Sequence, residues 1–484
     1  MTTIKLDPGA ALLLDALHGA GHAAYAVGGC VRDSLLGLDP HDWDLCTSAR
    51  PEQVMALFGE EKCIPTGLQH GTVTVKQGGR LYETTTFRTE GAYSDGRHPD
   101  AVCFVPDVRE DLARRDFTIN AMAYSAEEGL IDPFGGRDDL AAHLVRAVGE
   151  PERRFEEDAL RILRLYRFAA RFGFAIDPAT GVAARALGPH LDCVSAERIQ
   201  EELLKLLAAP RPGSYLEPAV LAVILPELEP EKQPERFAEL CRTIDRIEPT
   251  VENVPARLAA LLCPLGEAGA RKALRKLKCS NALTDEVTAL EREAGGGAGS
   301  FLLGHEFELR HPADALYLER HSHPAGRCPN SNSLFPPLAA VVAVAGHSIA
   351  RPTAYGSRVP PQRTVLGETP GTPGSDQTLM AKRLLGRYEL PTIQRLTALC
   401  SARHPEQAVA FAALRAEAER LTAENACCRV SQLAVNGRDL MAAGVRPGPG
   451  LRQVLNALLE AVITGQTPNE KDALLAAAAQ FSAS

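Results

Sequence analysis

Apolar and polar residues recur with two different periods along this chain, and the change of period divides it. In roughly the first 145 residues, short β-rich runs alternate with helical patterns. Ala24–Val27, Trp43–Cys46, Gly71–Lys76 and Leu81–Phe87 are expected strands, and Ala11–Leu17, Val31–Leu36, Pro51–Phe58 and Asp111–Tyr124 expected helices. From Arg146 the strand pattern stops and helices dominate to about Glu293, after which Gly295, Gly296 and Gly297 punctuate the chain. Helical patterning resumes at Leu379 and continues through Arg387, Gln407–Thr422 and Leu451–Ile463. The fold class is α+β: a small α/β domain followed by an all-α remainder.

Composition sharpens this picture. A chain of 484 residues is too long for one ordinary core, so several domains are expected. With 45% hydrophobic and 23% charged residues, disorder over most of the length is excluded. Aromatics make up only 5%, and Trp43 is the sole tryptophan, so packing rests on Leu, Ala, Val and Ile, which suits helices. A net charge of -9 argues against indiscriminate nucleic-acid binding but leaves room for a local basic groove. No apolar run approaches the roughly 18 residues needed to span a bilayer. The 12 cysteines include no Cys-x-x-Cys pair and read as thiols of a reducing compartment, so a cytoplasmic location is expected. Residues 301–380 differ from the rest: they hold ten of the 34 prolines and five of the 13 histidines without a sustained period. This segment reads as an insertion or a disordered linker, with an altered reading frame as a third explanation. Its histidines lack ligand spacing.

The most informative stretch is Tyr25-Ala-Val-Gly-Gly-Cys-Val-Arg-Asp33, followed by Asp42-Trp-Asp44. A strand that ends in Gly28-Gly29 and opens a helix lets backbone N–H groups approach phosphate oxygens, with Arg32 on the first helical turn to hold them from the other side. In a strand, Asp42 and Asp44 project to one face while Trp43 and Leu45 face the core. Two carboxylates so close repel unless a cation sits between them, and Mg²⁺ takes hard oxygen ligands. A solvated edge strand or a pair of turn caps is the alternative.

These motifs resemble the class II tRNA nucleotidyltransferases (CCA-adding enzymes) and their bacterial poly(A) polymerase relatives. The resemblance continues through His70-Gly-Thr-Val-Thr-Val75, Glu83-Thr-Thr-Thr-Phe-Arg88, Ser94-Asp-Gly-Arg-His-Pro-Asp100, Asp111-Leu-Ala-Arg-Arg-Asp-Phe-Thr-Ile-Asn-Ala121, Asp132-Pro-Phe-Gly-Gly136 and Arg154-Phe-Glu-Glu-Asp-Ala-Leu-Arg161. It covers roughly the first 300 residues and, more loosely, the last hundred. It implies a nucleotidyltransferase head (1–145), a helical neck for nucleobase recognition (146–210), a helical RNA-binding body (211–300), the 301–380 segment, and a helical RNA-binding tail (381–484). It also implies that Arg115 contacts the incoming nucleotide, and that the stretch with Asp116 and Asn120 contacts the ribose. A pairing of Asp116 with Arg114 or Arg115 is the structural alternative. Glu83 is the candidate third metal carboxylate, with a cross-strand pairing to Arg88 as its alternative, and Gly91–Asp100 is a candidate mobile loop.

On the helix expected from Glu157 onward, Arg161, Arg164, Arg167 and Arg171 fall within about 120° of one another, and Asp158 lies one turn before Arg161. Cytosine and adenine each present an amino donor beside a ring-nitrogen acceptor, whereas guanine and uracil reverse that polarity. A carboxylate only accepts and a guanidinium only donates, so Asp158 with Arg161 matches C and A. The resemblance assigns base reading to this pair, with Arg164 and Arg167 orienting base or triphosphate; a salt-bridged face is the alternative. Near Ala270–Lys278, Arg271, Lys272, Arg275, Lys276 and Lys278 form a basic side suited to an RNA backbone, or a solvated surface. The expected function is template-independent addition of CCA to the tRNA 3′ end from CTP and ATP with Mg²⁺. A-only or CC-only addition, polyadenylation and a silent RNA-binding module are the alternatives.

Overall fold

The computed structural model describes residues 3–91, 102–295 and 373–481. Helix α1 (Pro8–Gly19) begins where Asp7 accepts hydrogen bonds from the backbone N–H groups of Gly9 and Ala10. It leads into β1 (Ala24–Val27), and a glycine turn then opens α2 (Gly29–Leu35). After β2 (Leu45–Thr47) and α3 (Pro51–Phe58) comes a meander of β3 (Cys63–Gly67), β4 (Thr72–Gln77) and β5 (Arg80–Thr86). Strands β6 (Arg88–Glu90) and β7 (Val102–Phe104) pair as a separate antiparallel ribbon. Helix α4 (Val108–Ala113), β8 (Ala123–Ser125), β9 (Gly129–Ile131) and α5 (Gly136–Ala141) complete the α/β part.

Seven strands form one mixed sheet in the order β3-β4-β5-β2-β1-β8-β9, parallel only between β2 and β5. The two-residue period sorts side chains to its two faces. Ala24, Ala26 and Leu45 pack with Leu13, Leu14, Leu17 and Val54 of α1 and α3, whereas Tyr25, Val27 and Cys46 pack with Val108 and Leu112 of α4. Antiparallel pairing of β1 with β2 continues past the strands, as the Val27 N–H donates to the Asp44 carbonyl at 2.9 Å. The glycine turn after β1 and the acidic segment before β2 therefore emerge side by side.

The helical part starts with β10 (Leu144–Val145), which pairs in parallel with β11 (Ala175–Ile176) around α6 (Pro151–Glu157) and α7 (Leu160–Phe172). Helices α8 (Pro178–Ala186), α9 (Ala196–Leu207), α10 (Pro218–Ile224), α11 (Pro234–Arg246), α12 (Val254–Leu262), α13 (Gly266–Lys276) and α14 (Asn281–Ala294) follow. The chain is described again from α15 (Pro373–Arg387), through α16 (Leu390–Arg403), α17 (Ala408–Ala423), α18 (Gly437–Ala442), α19 (Pro449–Ile463) and α20 (Lys471–Phe481). A continuous apolar core runs from the α1 face of the sheet to α17, and α18 to α20 enclose a separate one around Leu440, Leu458 and Leu474. Phe117 of the α/β part meets Phe168 of α7 edge-on, with ring centroids 5.8 Å apart. Arg257 of α12 is fully buried and donates to the carbonyls of Leu207, Ala209 and Ile247, which ties the ends of α9 and α11 together without a carboxylate. No helix of the described residues is long and apolar enough to cross a membrane.

Several expectations need correction. The helix expected over Asp111–Tyr124 ends at Ala113, because Thr118 N–H donates to the Arg146 carbonyl and Phe117 bridges Ala147, which pulls the chain into extended form. Strand β2 starts at Leu45, so Asp42 and Asp44 lie in the extended segment before it rather than within it. Trp43 and Leu45 are nonetheless buried, as the alternation required. The helix expected from Glu157 onward breaks at Asp158, whose backbone is extended (φ -149°, ψ 103°). The two-residue β11 interrupts the all-helical region, and α15 begins at Pro373, inside the segment 301–380. Residues 301–372 of that segment, its five histidines included, lie outside the described residues, as do residues 92–100 of the expected loop.

Glu291 of α14 is 4% exposed, and its Oε1 has no hydrogen-bond partner among the described residues. Burial pushes its carboxyl up to about 7 against the opposing pull of Arg403. A folded-state pKa above the unfolded value means that the associated stability is complete at pH below about 4.5 and is lost as pH rises through about 7. Glu291→Gln should therefore stabilise the fold above pH 7.5 by on the order of 2 kcal/mol, seen as a higher melting temperature, and leave it nearly unchanged at pH 5. Equal effects at both pH values in thermal melts would contradict this.

Candidate functional site

The turn after β1 and the acidic segment before β2 form the floor of a cleft of about 870 Å³, and α7 forms the opposite wall. Gly28 holds a left-handed backbone (φ 77°), and a Cβ there would come within 2.8 Å of the Arg115 guanidinium. The glycine thus lets Arg115 lie against the turn, held from behind by Asp111 at 3.5 Å. Arg32, 4% exposed, donates to Asp33 at 2.7 Å and to Asn120 Oδ1 at 2.5 Å. Its guanidinium stacks on Phe172 and Phe168, 4.8 and 5.3 Å from their ring centroids. Burial lowers its pKa, and Asp33 opposes that shift.

Asp42 and Asp44 line the cleft, and among the described residues neither carboxylate has a hydrogen-bond or ion-pair partner. Asp44 is exposed along the cleft, yet surrounding protein crowds it. That crowding, with the neighbouring charges of Glu83 and Asp42, pushes its carboxyl up to about 6 while Arg115 pulls the other way. Glu83 lies beside Asp44 because β5 runs parallel to β2 with Thr84 opposite Leu45, but it does not line the cleft. Among the described residues no three His, Cys, Asp or Glu side chains converge at metal-ligand geometry, so the unpartnered pair is Asp42 and Asp44. Arg88, the alternative partner weighed for Glu83, donates to the His70 carbonyl.

Asp116 is 8% exposed and does not pair with Arg114 or Arg115, which instead contact Asp111. It accepts from Asn120 Nδ2 at 3.1 Å and from Arg164 at 2.6 and 2.8 Å. Burial alone would raise its carboxyl, but Arg164, with Asn120 and Arg161, holds it at about 2. The four arginines of α7 share the cleft wall, as their spacing required, and each has its own acid. Arg161 pairs with Glu157 at 2.7 Å and donates to the carbonyls of Arg154 and Arg114. Arg164 pairs with Asp116, Arg167 with Glu202 of α9 at 2.5 Å, and Arg171 with Asp33 at 3.2 Å. The ion-paired face thus accounts for all four arginines, more than its spacing indicated, while leaving them on the cleft.

Asp158 and Arg161 both line the cleft but do not bond side chain to side chain: Asp158 accepts from the Leu160 N–H at 3.1 Å and from Arg198 at 2.8 Å. Sequence reasoning missed Lys205, His70, Thr72 and Arg88 as lining residues. His70 and Thr72 sat inside a quoted motif, whereas Lys205 arrives only through packing of α9 on α7. Lys272, Arg275 and Lys276 on α13, and Lys278 just beyond its end, are exposed and have no acid partner among the described residues, while Arg271 pairs with Asp285 at 2.9 Å.

Residues 24–146 match the family profile described as the poly A polymerase head domain, 173–232 a probable RNA and SrmB-binding site of polymerase A, and 384–478 a putative tRNA nucleotidyltransferase domain 2. The CCA-adding enzyme of Lactiplantibacillus plantarum is 32% identical over 96% of this chain and 93% of its own length. That of Levilactobacillus brevis is 34% identical over 96% of both. The chain belongs to the CCA-adding enzyme family. Matches to other CCA-adding enzymes are higher but local: that of Limosilactobacillus reuteri is 48% identical over 204 residues, half of its length. The crystal structure of the Bacillus stearothermophilus CCA-adding enzyme in complex with CTP superimposes with a TM-score of 0.68 at 29% identity, over 98% of each chain.

The Gly28 turn of this family member yields a direct test. Gly28→Ala strains a left-handed residue by about 1–2 kcal/mol and displaces Arg115. Pyrophosphate, as a probe of the turn, should bind at least about tenfold more weakly in calorimetry; unchanged binding would refute the fit of backbone to phosphate.

Proposed function

We propose that this protein adds CCA to tRNA 3′ ends from CTP and ATP with release of pyrophosphate. The observation that carries the reading is the meeting, across one cleft, of two unpartnered carboxylates and a row of held arginines. Two aspartates flanked by Glu83, with the Asp44 carboxyl pushed up by burial and by its acidic neighbours, suit a divalent cation, and their hard oxygens favour Mg²⁺. Such a cation between Asp42 and Asp44 would supply charge that favours the attacking and leaving oxygens. Gly28 and Gly29 offer backbone N–H groups to the triphosphate, Arg115 holds it from the far side, and Arg32 fixes Asn120 on the sugar side. In the reaction the terminal ribose hydroxyl oxygen bonds to the α-phosphorus, the bond from that phosphorus to the bridging oxygen breaks, and the hydroxyl proton is lost.

Base choice follows from Asp158 and Arg161. The carboxylate accepts from the amino group and the guanidinium donates to the ring nitrogen, a pattern that C and A share and that G and U reverse. Arg161 is clamped by Glu157 and two backbone carbonyls, so it is ordered before a base arrives. Arg164 and Arg167 orient the base or the triphosphate. Residues 1–145 act as head, 146–210 as neck, 211–300 as body and 381–484 as tail, in a cytoplasmic enzyme. The exposed cations on and just after α13, without an acid partner among the described residues, suit the RNA backbone in the body. A-only addition, in which a second enzyme lays down the cytidines, is the alternative within the same chemistry.

Asp42→Ala should abolish Mg²⁺-dependent incorporation of labelled CTP and ATP while tRNA affinity in filter binding changes less than about threefold. Incorporation at the unmodified rate would overturn the carboxylate assignment.

A further inference from the structure

We propose that His70 and Thr72 receive the terminal ribose of the tRNA, with Thr72 bonding its 2′-hydroxyl, so that the cleft checks the sugar of the acceptor end as well as the incoming nucleotide. The inference rests on the glycine turn holding the triphosphate. Strand order β4-β5-β2-β1 then puts the Asp42–Asp44 segment between that turn and Thr72. In an in-line displacement the attacking oxygen lies across the α-phosphorus from the leaving pyrophosphate. The attacking ribose therefore enters from the β4 side, where Gly67, His70, Thr72 and Arg88 line the cleft beyond the residues that hold the nucleotide.

Local backbone geometry makes this corner rigid. Gly67 pairs with Thr72 across a register shift, and a Cβ on Gly67 would come within 3.0 Å of the Thr72 Cβ. Gly71 holds a left-handed backbone (φ 78°), and a Cβ there would meet the Phe104 ring at 2.6 Å. Arg88 donates from its side chain to the His70 carbonyl and from its backbone N–H to Asp111 Oδ1 at 3.3 Å. The His70 backbone is thereby pinned while its half-buried imidazole lines the cleft.

Val73 and Val75 join the core with α1 and α3, so alternation puts Thr72 and Thr74 on the other face, opposite Thr85 and Glu83 of β5. The two threonine pairings extend the polar strip that begins at Asp44 and Glu83. Thr72 Oγ1 and Thr85 Oγ1 lie 2.9 Å apart. One hydroxyl proton makes that bond, so the pair keeps a second proton and further lone pairs. A ribose 2′-hydroxyl both donates and accepts, and Thr72 matches either role; a deoxyribose end forfeits the bond. Asn120 and Asp116 are tied to Arg32 and Arg164 on the α7 side, so the two sugars are read by different residues.

The test supplies ATP and Mg²⁺ and compares kcat/KM for tRNAs that end after both C residues, with either a ribose terminus or a 2′-deoxyribose terminus that keeps its 3′-hydroxyl. Wild type should favour the ribose end by about tenfold, the order of one hydrogen bond. Thr72→Val, which removes the hydroxyl at nearly constant volume, should reduce that preference to below about twofold, and Thr72→Ser should keep it. His70→Ala should raise KM for tRNA at least about threefold with KM for ATP unchanged. The preference for ATP over dATP should stay at the wild-type value in Thr72→Val, which separates the acceptor sugar from the incoming one. Should Thr72→Val not fold, Thr72→Ala takes its place with the same expectation. Wild-type extension of neither tRNA would overturn nucleotide addition itself and the proposal with it. Addition with an unchanged ribose preference in the folded Thr72 variant, or with no preference in wild type, would overturn the proposal alone.

Discussion

The neutralisation of four arginines on one short helix is the constraint on which the rest of this structure depends. Guanidinium groups so close together repel, and their helix is packed on both sides, so each must find an acid that the helix does not supply. The four acids come from three places: Glu157 from the preceding helix, Asp116 and Asp33 from the α/β domain, and Glu202 from α9. Meeting that requirement fastens the α/β domain to the helical part and fixes the width of the cleft. Phe117 against Phe168, and Arg32 stacked on Phe168 and Phe172, complete the same junction with apolar area.

The cleft therefore has two electrostatic sides built on opposite principles. On the α7 wall every charge is balanced in advance, which keeps donors rigid and aimed. On the floor, Asp42 and Asp44 are left unbalanced, and burial, with the charges of Glu83 and Asp42, pushes the Asp44 carboxyl up to about 6. A ligand with anionic phosphates and a bound cation fits between such walls, since the cation answers the floor and the phosphates answer Arg115 and the glycine turn.

Much of this was legible in the sequence. The Gly28-Gly29 turn beside Asp42 and Asp44, the spacing of the α7 arginines, and the switch from strand to helix periods all follow from local pattern. The misplaced boundaries had non-local causes. Phe117 is drawn out of a helical pattern by pairing with Ala147, and Asp158 leaves its helix although nothing in its neighbours forbids helix there. Partnerships were the least legible feature, because Asp116 lies 48 residues from Arg164 and Asp158 lies 40 from Arg198. Glu202 and Arg198 look, in sequence, like ordinary solvated positions of an amphipathic helix; only packing of α9 on α7 makes them otherwise.

The central claim is that protein side chains, with no nucleic-acid template, specify C and then A. The most direct measurement supplies purified protein and Mg²⁺ with each of the four labelled nucleoside triphosphates in turn, on tRNAs ending before the first C, after one C and after both. The account predicts C on the first two substrates, A on the third, and neither G nor U on any. Addition of A to the third substrate alone, or equal use of all four nucleotides, would contradict it.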